Sequence, residues 1–171
     1  RSTLAYSGQG ATTIIDGGGV RTGFVATAKS DLSISDMTFS DCLAYGIQLT
    51  TMNNVTVSRC LVDIADVGIA LDSCTGTVTV TDCEHSNCVQ QGMRSKTTPN
   101  AVFTRCYGHT PGDPGCYAFE SEGVGTDDNR YIDCWTVGAF TAGYIAKLSQ
   151  RCEYLGCVVS GCDIGFYSKG S

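Results

Sequence analysis

Four acidic side chains, Glu120, Glu122, Asp127 and Asp128, fall within nine consecutive residues of this 171-residue chain. Clustered carboxylates can do two kinds of chemistry. A pair at suitable separation protonates a leaving oxygen and activates a water, and a cluster holds a hard cation such as Ca²⁺ through oxygen ligands. In the second case a nearby Lys or Arg can abstract a proton. Asp72 is the partner carboxylate for the first chemistry, and Lys96 or Arg94 is the base for the second. Glu120, Asp72, Lys96 and Arg94 are therefore the catalytic candidates. Glu122, Asp127, Asp128, Lys147, Lys169 and Tyr167 are the substrate-binding candidates.

What would bring such scattered residues together is a repeat. Cys60, Cys83, Cys106, Cys134 and Cys157 are separated by 23, 23, 28 and 23 residues, and Met37 stands another 23 before the first. Gly followed by an apolar residue keeps the same beat at Gly23, Gly46, Gly68, Gly92, Gly143 and Gly165, with Gly115-Cys116-Tyr117 taken to fill the gap. Alternating tracts such as Leu32-Ser-Ile34, Val55-Thr-Val57 and Val78-Thr-Val80 precede each cysteine position. Period-2 alternation in Val, Ile and Thr marks half-buried strands. Units of this size, each burying a face on the next, form solenoids.

The units Leu32-Ser-Ile-Ser-Asp-Met37 through Gly46-Ile-Gln-Leu49, and Val55-Thr-Val-Ser-Arg-Cys60 through Gly68-Ile-Ala-Leu71, resemble the repeats of right-handed parallel β-helix proteins. That group comprises the pectate-lyase-like superfamily, many phage tailspikes and several polysaccharide lyases and hydrolases. Thr13-Ile-Ile-Asp-Gly-Gly-Gly19 resembles an early coil of such proteins. The resemblance implies an all-β, single-stranded parallel β-helix of six to seven coils of about 23 residues, over residues 12–171 after an 11-residue lead-in. It implies a carbohydrate ligand along one face, and a homotrimer where it is to tailspikes. Residues 1–171 are expected to be a single domain and a segment of a longer chain.

Net charge is −6 and the sequence pI about 4.7. An acidic chain lacks the basic face that nucleic-acid binding requires, and no apolar run is long enough to span a membrane. Nucleic acid and membrane are not expected partners. Eleven cysteines would ordinarily imply disulfides. Stacked coils about 4.8 Å apart, however, hold equivalent side chains too far apart and too parallel for an S–S bond. The cysteines in the main register are expected to be inward, reduced thiols, which points to synthesis in a reducing cytosol and to a virion or extracellular destination. Cys83-x-His85-x-x-Cys88 has zinc-like ligand types, but its registers point inward, so His85 is expected to be a hydrogen-bonded core residue.

Counting outward from each glycine gives a row Thr27, Thr50, Asp72, Lys96, Glu120, Lys147, Lys169, in which opposite charges follow one another. A second row, Asp36, Arg59, Asp82, Arg105, Asp133, Gly156, also alternates in sign. The interval from Gly115 to Cys134 is 19 residues where those from Gly46, Gly92 and Gly143 are 14, so an enlarged loop is expected after Glu120, over residues 121–128. Enlarged loops on regular scaffolds are where function concentrates. Three readings follow. The chain is a glycan-recognising, tailspike-like domain that also could cleave its polysaccharide, a structural solenoid of a fibre or surface layer, or a secreted lyase or hydrolase. No cofactor is required by the first two; Ca²⁺ at the acidic loop belongs to the lyase reading.

Overall fold

A computed structural model describes residues 4–8, 13–124, 128–138 and 140–169. Its 19 strands among these residues all pair in parallel, as a solenoid of about seven coils with three faces. The first face is a seven-stranded ladder of β1 (Leu4–Ser7), β4 (Ser30–Ser35), β7 (Asn53–Ser58), β9 (Thr75–Thr81), β11 (Ala101–Thr104), β14 (Arg130–Ile132) and β17 (Glu153–Leu155). A 12-stranded sheet folds at the glycine corners into the other two. The second face holds β2 (Ile14–Asp16), β5 (Thr38–Ser40), β12 (Tyr107–His109), β15 (Trp135–Val137) and β18 (Val158–Ser160). The third holds β3 (Phe24–Thr27), β6 (Tyr45–Thr50), β13 (Tyr117–Glu122), β16 (Ala142–Lys147) and β19 (Ile164–Lys169). In the middle coils β8 (Leu61–Asp72) and β10 (Glu84–Lys96) run through the corner and serve both faces.

The corners are made by single left-handed residues. Asp36, Arg59, Asp82, Arg105 and Asp133 have φ of 50–59°, and Gly156 continues the row at 64°. Asp and Asn tolerate this region because their short side chains bond locally, whereas Ile64 at φ 61° is a β-branched residue held there against its preference. Successive corners are clamped by charge. Arg105 chelates Asp82 (2.7 and 2.9 Å) and Arg151 chelates Asp128 (2.6 and 2.8 Å), one coil apart. The Arg105 and Arg151 guanidiniums hold these two carboxyls below the ordinary range.

Inside, like packs on like. Leu32, Val55 and Val78 share one column and Ile34, Val57 and Val80 the next. Further along, the columns turn aromatic. Phe103, Tyr131 and Tyr154 stack at 4.9 and 5.3 Å with planes 9° apart, and Phe119, Tyr144 and Phe166 stack at 4.9 and 5.0 Å within 7–9°. Where the second column meets Ser95 and Ser121, buried Asn129 donates to both hydroxyls (3.0 and 3.1 Å) and accepts from Ala101 N (2.8 Å). This network satisfies core polar groups that would otherwise each cost about 1–3 kcal/mol.

Cys60, Cys83, Cys106, Cys134 and Cys157 occupy equivalent corner positions, because strand register is kept on both sides of each. All eleven cysteines are free, and only Cys152, Cys157 and Cys162 are partly exposed. Burial pushes the Cys116 thiol up to about 12, and the Cys106 thiol together with burial does the same for Cys134. Thiolate is the reactive form. Cys157, though partly exposed, is held protonated by the neighbouring Cys134 thiol and by burial, so titration in denaturant should count eleven thiols per chain, with rapid native reaction confined to Cys152 and Cys162. A lower denatured count would reveal a disulfide.

His85 departs from the expectation of a hydrogen-bonded core histidine. It is fully buried, packs edge-on against Phe119 and Phe140 (5.7 and 6.0 Å), and neither ring nitrogen has a hydrogen-bond partner. Its ring fills space vacated by two glycines, since a Cβ on Gly92 or Gly108 would lie 1.9 or 2.3 Å from it. Desolvation, aided by the charge on His109, lowers its pKa to about 3. An imidazole that stays neutral in the native state but protonates near 6.5 when unfolded makes stability complete above about pH 6.5. That stability is lost as pH falls toward 3, by on the order of 1.4 kcal/mol per pH unit. His85→Val, the residue type one coil earlier at Val62, should remove that slope between pH 6.5 and 4.5 in urea unfolding. Gly92→Ala should destabilise by several kcal/mol through overpacking, and His85→Ala should rescue it.

Candidate functional site

The outward residues of the third face form three rows, and register fixes their membership. The first row is Tyr45, Val67, Gln91, Tyr117, Ala142 and Ile164. The second is Gln48, Ala70, Arg94, Glu120, Ile145 and Tyr167, and the third is Thr50, Asp72, Lys96, Glu122, Lys147 and Lys169. The rows correct the sequence count at one coil. Glu120 pairs with Arg94, not Lys96, and Glu122 stands in the Lys96 row.

The error arose from the landmark. Ala118, not Gly115, occupies the glycine corner of the fifth coil, because Phe119 pairs with Met93 and Tyr144. An alanine is admitted there because the second-face residue that packs toward the corner in this coil is itself a glycine, Gly108, whose notional Cβ would lie 3.3 Å from the Ala118 Cβ. Elsewhere the corner glycine faces a larger side chain, Val62 at Gly46, His85 at Gly92 and Thr136 at Gly143. The five extra residues are accordingly not all after Glu120. Three lie before β13, in the Pro111–Cys116 segment, and two lie after it. Tyr117, which a corner at Gly115 would place in the inward column with Met93 and Tyr144, turns outward between buried Cys116 and Ala118.

The face assembles most of the candidate residues. Asp72 accepts from Arg94 Nη2 through both oxygens, each at 3.0 Å, with the two side chains only 19% and 13% exposed. Arg94 reaches on to the Tyr45 ring, 5.8 Å from its centroid. Glu120 is wholly buried, and its Oε1 lies 2.6 Å from Lys147 Nζ, off the axis of a good hydrogen bond, while Oε2 has no hydrogen-bond partner. The same ammonium sits 4.5 Å above the Tyr117 ring, where a cation is attracted by the ring's negative face. Burial is the largest single influence on the Lys147 pKa and lowers it, but the hydrogen bond and charge of Glu120, with the charges of Tyr117 and Glu122, together outweigh it and raise the pKa. Lys96 and Glu122 form a looser, more exposed pair at 3.7 Å.

Other candidates fall elsewhere. Asp128 clamps Arg151 at a corner of the first face, far in register from Glu120. Tyr167 ends the second row, 39% exposed. Asp127 and the Lys169 side chain lie outside the described residues. Asp72 and Glu120 are two coils apart and also offset by two residues along the strand, which sets their backbones roughly 12 Å apart, where the same row two coils on, as the sequence count has it, would give about 9.6 Å. Among the described residues no cluster of three or more His, Cys, Asp or Glu is arranged to hold a metal ion. Sequence reasoning missed Tyr45 and Tyr117 as face residues; it missed Glu84 and Tyr107 altogether and weighed His109 only as a companion of the zinc-like Cys83-x-His85-x-x-Cys88 set. The signal for Glu84, Tyr107 and His109 was their register five residues or fewer after a cysteine position.

This stacked, three-faced architecture defines a parallel β-solenoid. A family model described as the right handed β-helix region matches residues 11–94 and 63–171, so the chain belongs to the right-handed β-helix family. Membership in the pectate-lyase-like superfamily is consistent with it. No curated protein matches the sequence.

The Glu120–Lys147 pair gives a direct check on this geometry. Removing one partner of a buried pair leaves an uncompensated charge and costs about 3–5 kcal/mol. Partial exposure of Lys147 places Lys147→Met at the lower end of that range. In urea unfolding the Glu120→Gln/Lys147→Met double variant should recover most of the loss, whereas Arg105→Ala at an exposed, solvent-screened corner should leave the midpoint nearly unchanged. Additive effects of the two site variants would contradict the pairing.

Proposed function

We propose that the chain is a carbohydrate-recognising β-helix domain of a spike-like or surface protein, and that it binds a glycan along the third face without cleaving it. The observation that supports this reading is the pre-organisation of that face. Arg94 is fixed between Asp72 and Tyr45, Lys147 between Glu120 and Tyr117, and half-buried Gln48 and Gln91 stand among them. Fixed polar donors beside aromatic rings suit hydroxyl-rich ligands, because little side-chain freedom is lost on binding. Catalysis fits less well. Asp72 spends both oxygens on Arg94 and Glu120 is covered, so neither carboxylate is placed to activate a water. Assembly as a homotrimer, and a virion or extracellular location, belong to this proposal through the tailspike resemblance.

A structural solenoid is the second reading, favoured by the recurrence of the same one-coil charge pairing at Arg105–Asp82 and Arg151–Asp128, corners with no ligand logic. A glycan array probed with the labelled chain separates the two. At least one glycan should bind, and Lys96→Ala and Arg94→Ala should each weaken it about ten- to a hundredfold, the loss of a charged hydrogen bond. Unchanged binding in both folded variants would remove the site, and an array without signal would leave the structural reading.

A further inference from the structure

The second face carries an aromatic strip that the site above does not use. By register Glu84, Tyr107, Trp135 and Val158 follow one another in one outward row, with Ser86, His109, Val137 and Ser160 in the next. Their sequence neighbours His85 and Thr136 are fully buried, which fixes the strip as the outer surface. Tyr107 and His109 stack at 4.9 Å, and Tyr107 meets Trp135 edge-on at 6.5 Å. The His109 ring is locked at both nitrogens, Nε2 to Glu84 Oε1 at 2.8 Å and Nδ1 to Thr110 Oγ1 at 2.9 Å. Trp135, Val137 and Val158 are 42–48% exposed. Neither the Trp135 indole N–H nor the Tyr107 hydroxyl is engaged by another described residue.

A contiguous exposed patch of this kind marks an interaction site. Its chemistry narrows the partner. Aromatic faces take the C–H face of a sugar ring, while the free indole N–H, the phenol and the Glu84 carboxylate offer polar handles to hydroxyls. The charges on the strip itself are the carboxylates Glu84 and Asp63, Asp63 being held by Ser86 and Asn87, while the neighbouring corner cations Arg59 and Arg105 are each chelated by an aspartate, so the strip offers no uncommitted cation to a phosphate or uronate. A second copy is disfavoured by size, since these few side chains present roughly 300–400 Å² where a stable interface needs about 800 Å² per partner. One coil step is close to the length of one hexose unit. A shallow depression bordered by Thr38, Arg59, Leu61 and Asp82 continues the strip beyond Glu84.

We propose that Tyr107, His109 and Trp135, rimmed by Glu84, bind consecutive rings of a neutral oligosaccharide at a site separate from the third face. Trp135 is the only tryptophan in the chain, so intrinsic emission reports on this strip alone. Titration with gluco-, galacto- and manno-hexaoses is expected to give, for at least one, a saturable emission shift and at least twofold protection from iodide quenching. Tyr107→Ala should weaken that response tenfold or more, and Lys96→Ala should leave it unchanged, which keeps this site distinguishable from the third face. Should Tyr107→Ala fail to fold, Glu84→Gln replaces it, with a loss of at least threefold expected. No response to any neutral hexaose, a response to oligogalacturonate alone, or an emission shift that follows protein concentration without sugar would each overturn the proposal.

Discussion

Parallel register between successive coils is the constraint on which everything else depends. Each strand pairs with its counterpart one coil away, so every inward residue packs on, and every outward residue stands beside, the residue one repeat on. That pairing is kept across corners that the chain adopts reluctantly. Nineteen non-glycine residues among those described have positive φ, each at a cost of order 1 kcal/mol or more. Nine of these are Asp or Asn, for which the cost is least. Corners of this sort persist only where the ladders on both sides over-determine them. The clamps Arg105–Asp82 and Arg151–Asp128 lie at such corners, where exposed pairs contribute little energy but hold orientation.

Register also explains what could be read in the sequence and what could not. The 23-residue beat, the columns Leu32–Val55–Val78 and Ile34–Val57–Val80, and the assembly of Asp72, Arg94, Lys96, Glu120 and Lys147 on one face follow from spacing alone, whereas Glu122, expected in a loop, joins that face as the end of β13. The fifth coil does not. Its corner is set by a volume exchange between residues ten apart, Gly108 and Ala118, so a search for glycine finds Gly115 and shifts β13 by two residues. That shift moved Glu120 from Arg94's row to Lys96's and made a buried carboxylate look exposed. His85 was legible as inward. Its lack of partners was not, because the ring's neighbours are the missing side chains of Gly92 and Gly108 together with Phe119 and Phe140 from the following coils.

The same one-coil charge pairing has different consequences in different places. At corners the partners are about half exposed and solvent screens them. On the third face Arg94–Asp72 and Lys147–Glu120 are largely covered, with Tyr45 and Tyr117 over the cations, so each ion is held in one geometry. Paired charge of this kind leaves the face close to neutral while fixing donors and rings in place. Rigid and nearly neutral is a combination suited to hydroxyl-rich ligands more than to polyanions.

The three faces are not equivalent, and their difference follows from what the outward rows carry. The first face presents short hydroxyls, Ser33, Thr56 and Thr79 in one row, with the Thr79 hydroxyl donating to its counterpart on Thr56 at 3.4 Å. Such side chains spend their polar atoms on each other and offer no ring or fixed charge to a partner. The same row ends in one ion pair, Arg130–Glu153 at 2.8 Å, but the outward aromatic rings are on the second and third faces, which meet at the glycine corner. The three-residue insertion in the fifth coil falls at that corner, between Tyr107–His109 and Tyr117–Glu120. Lengthening the chain there leaves both ladders intact, since pairing resumes at Tyr117 with Gln91 and Ala142. The scaffold thus tolerates variation at the edge shared by the second and third faces.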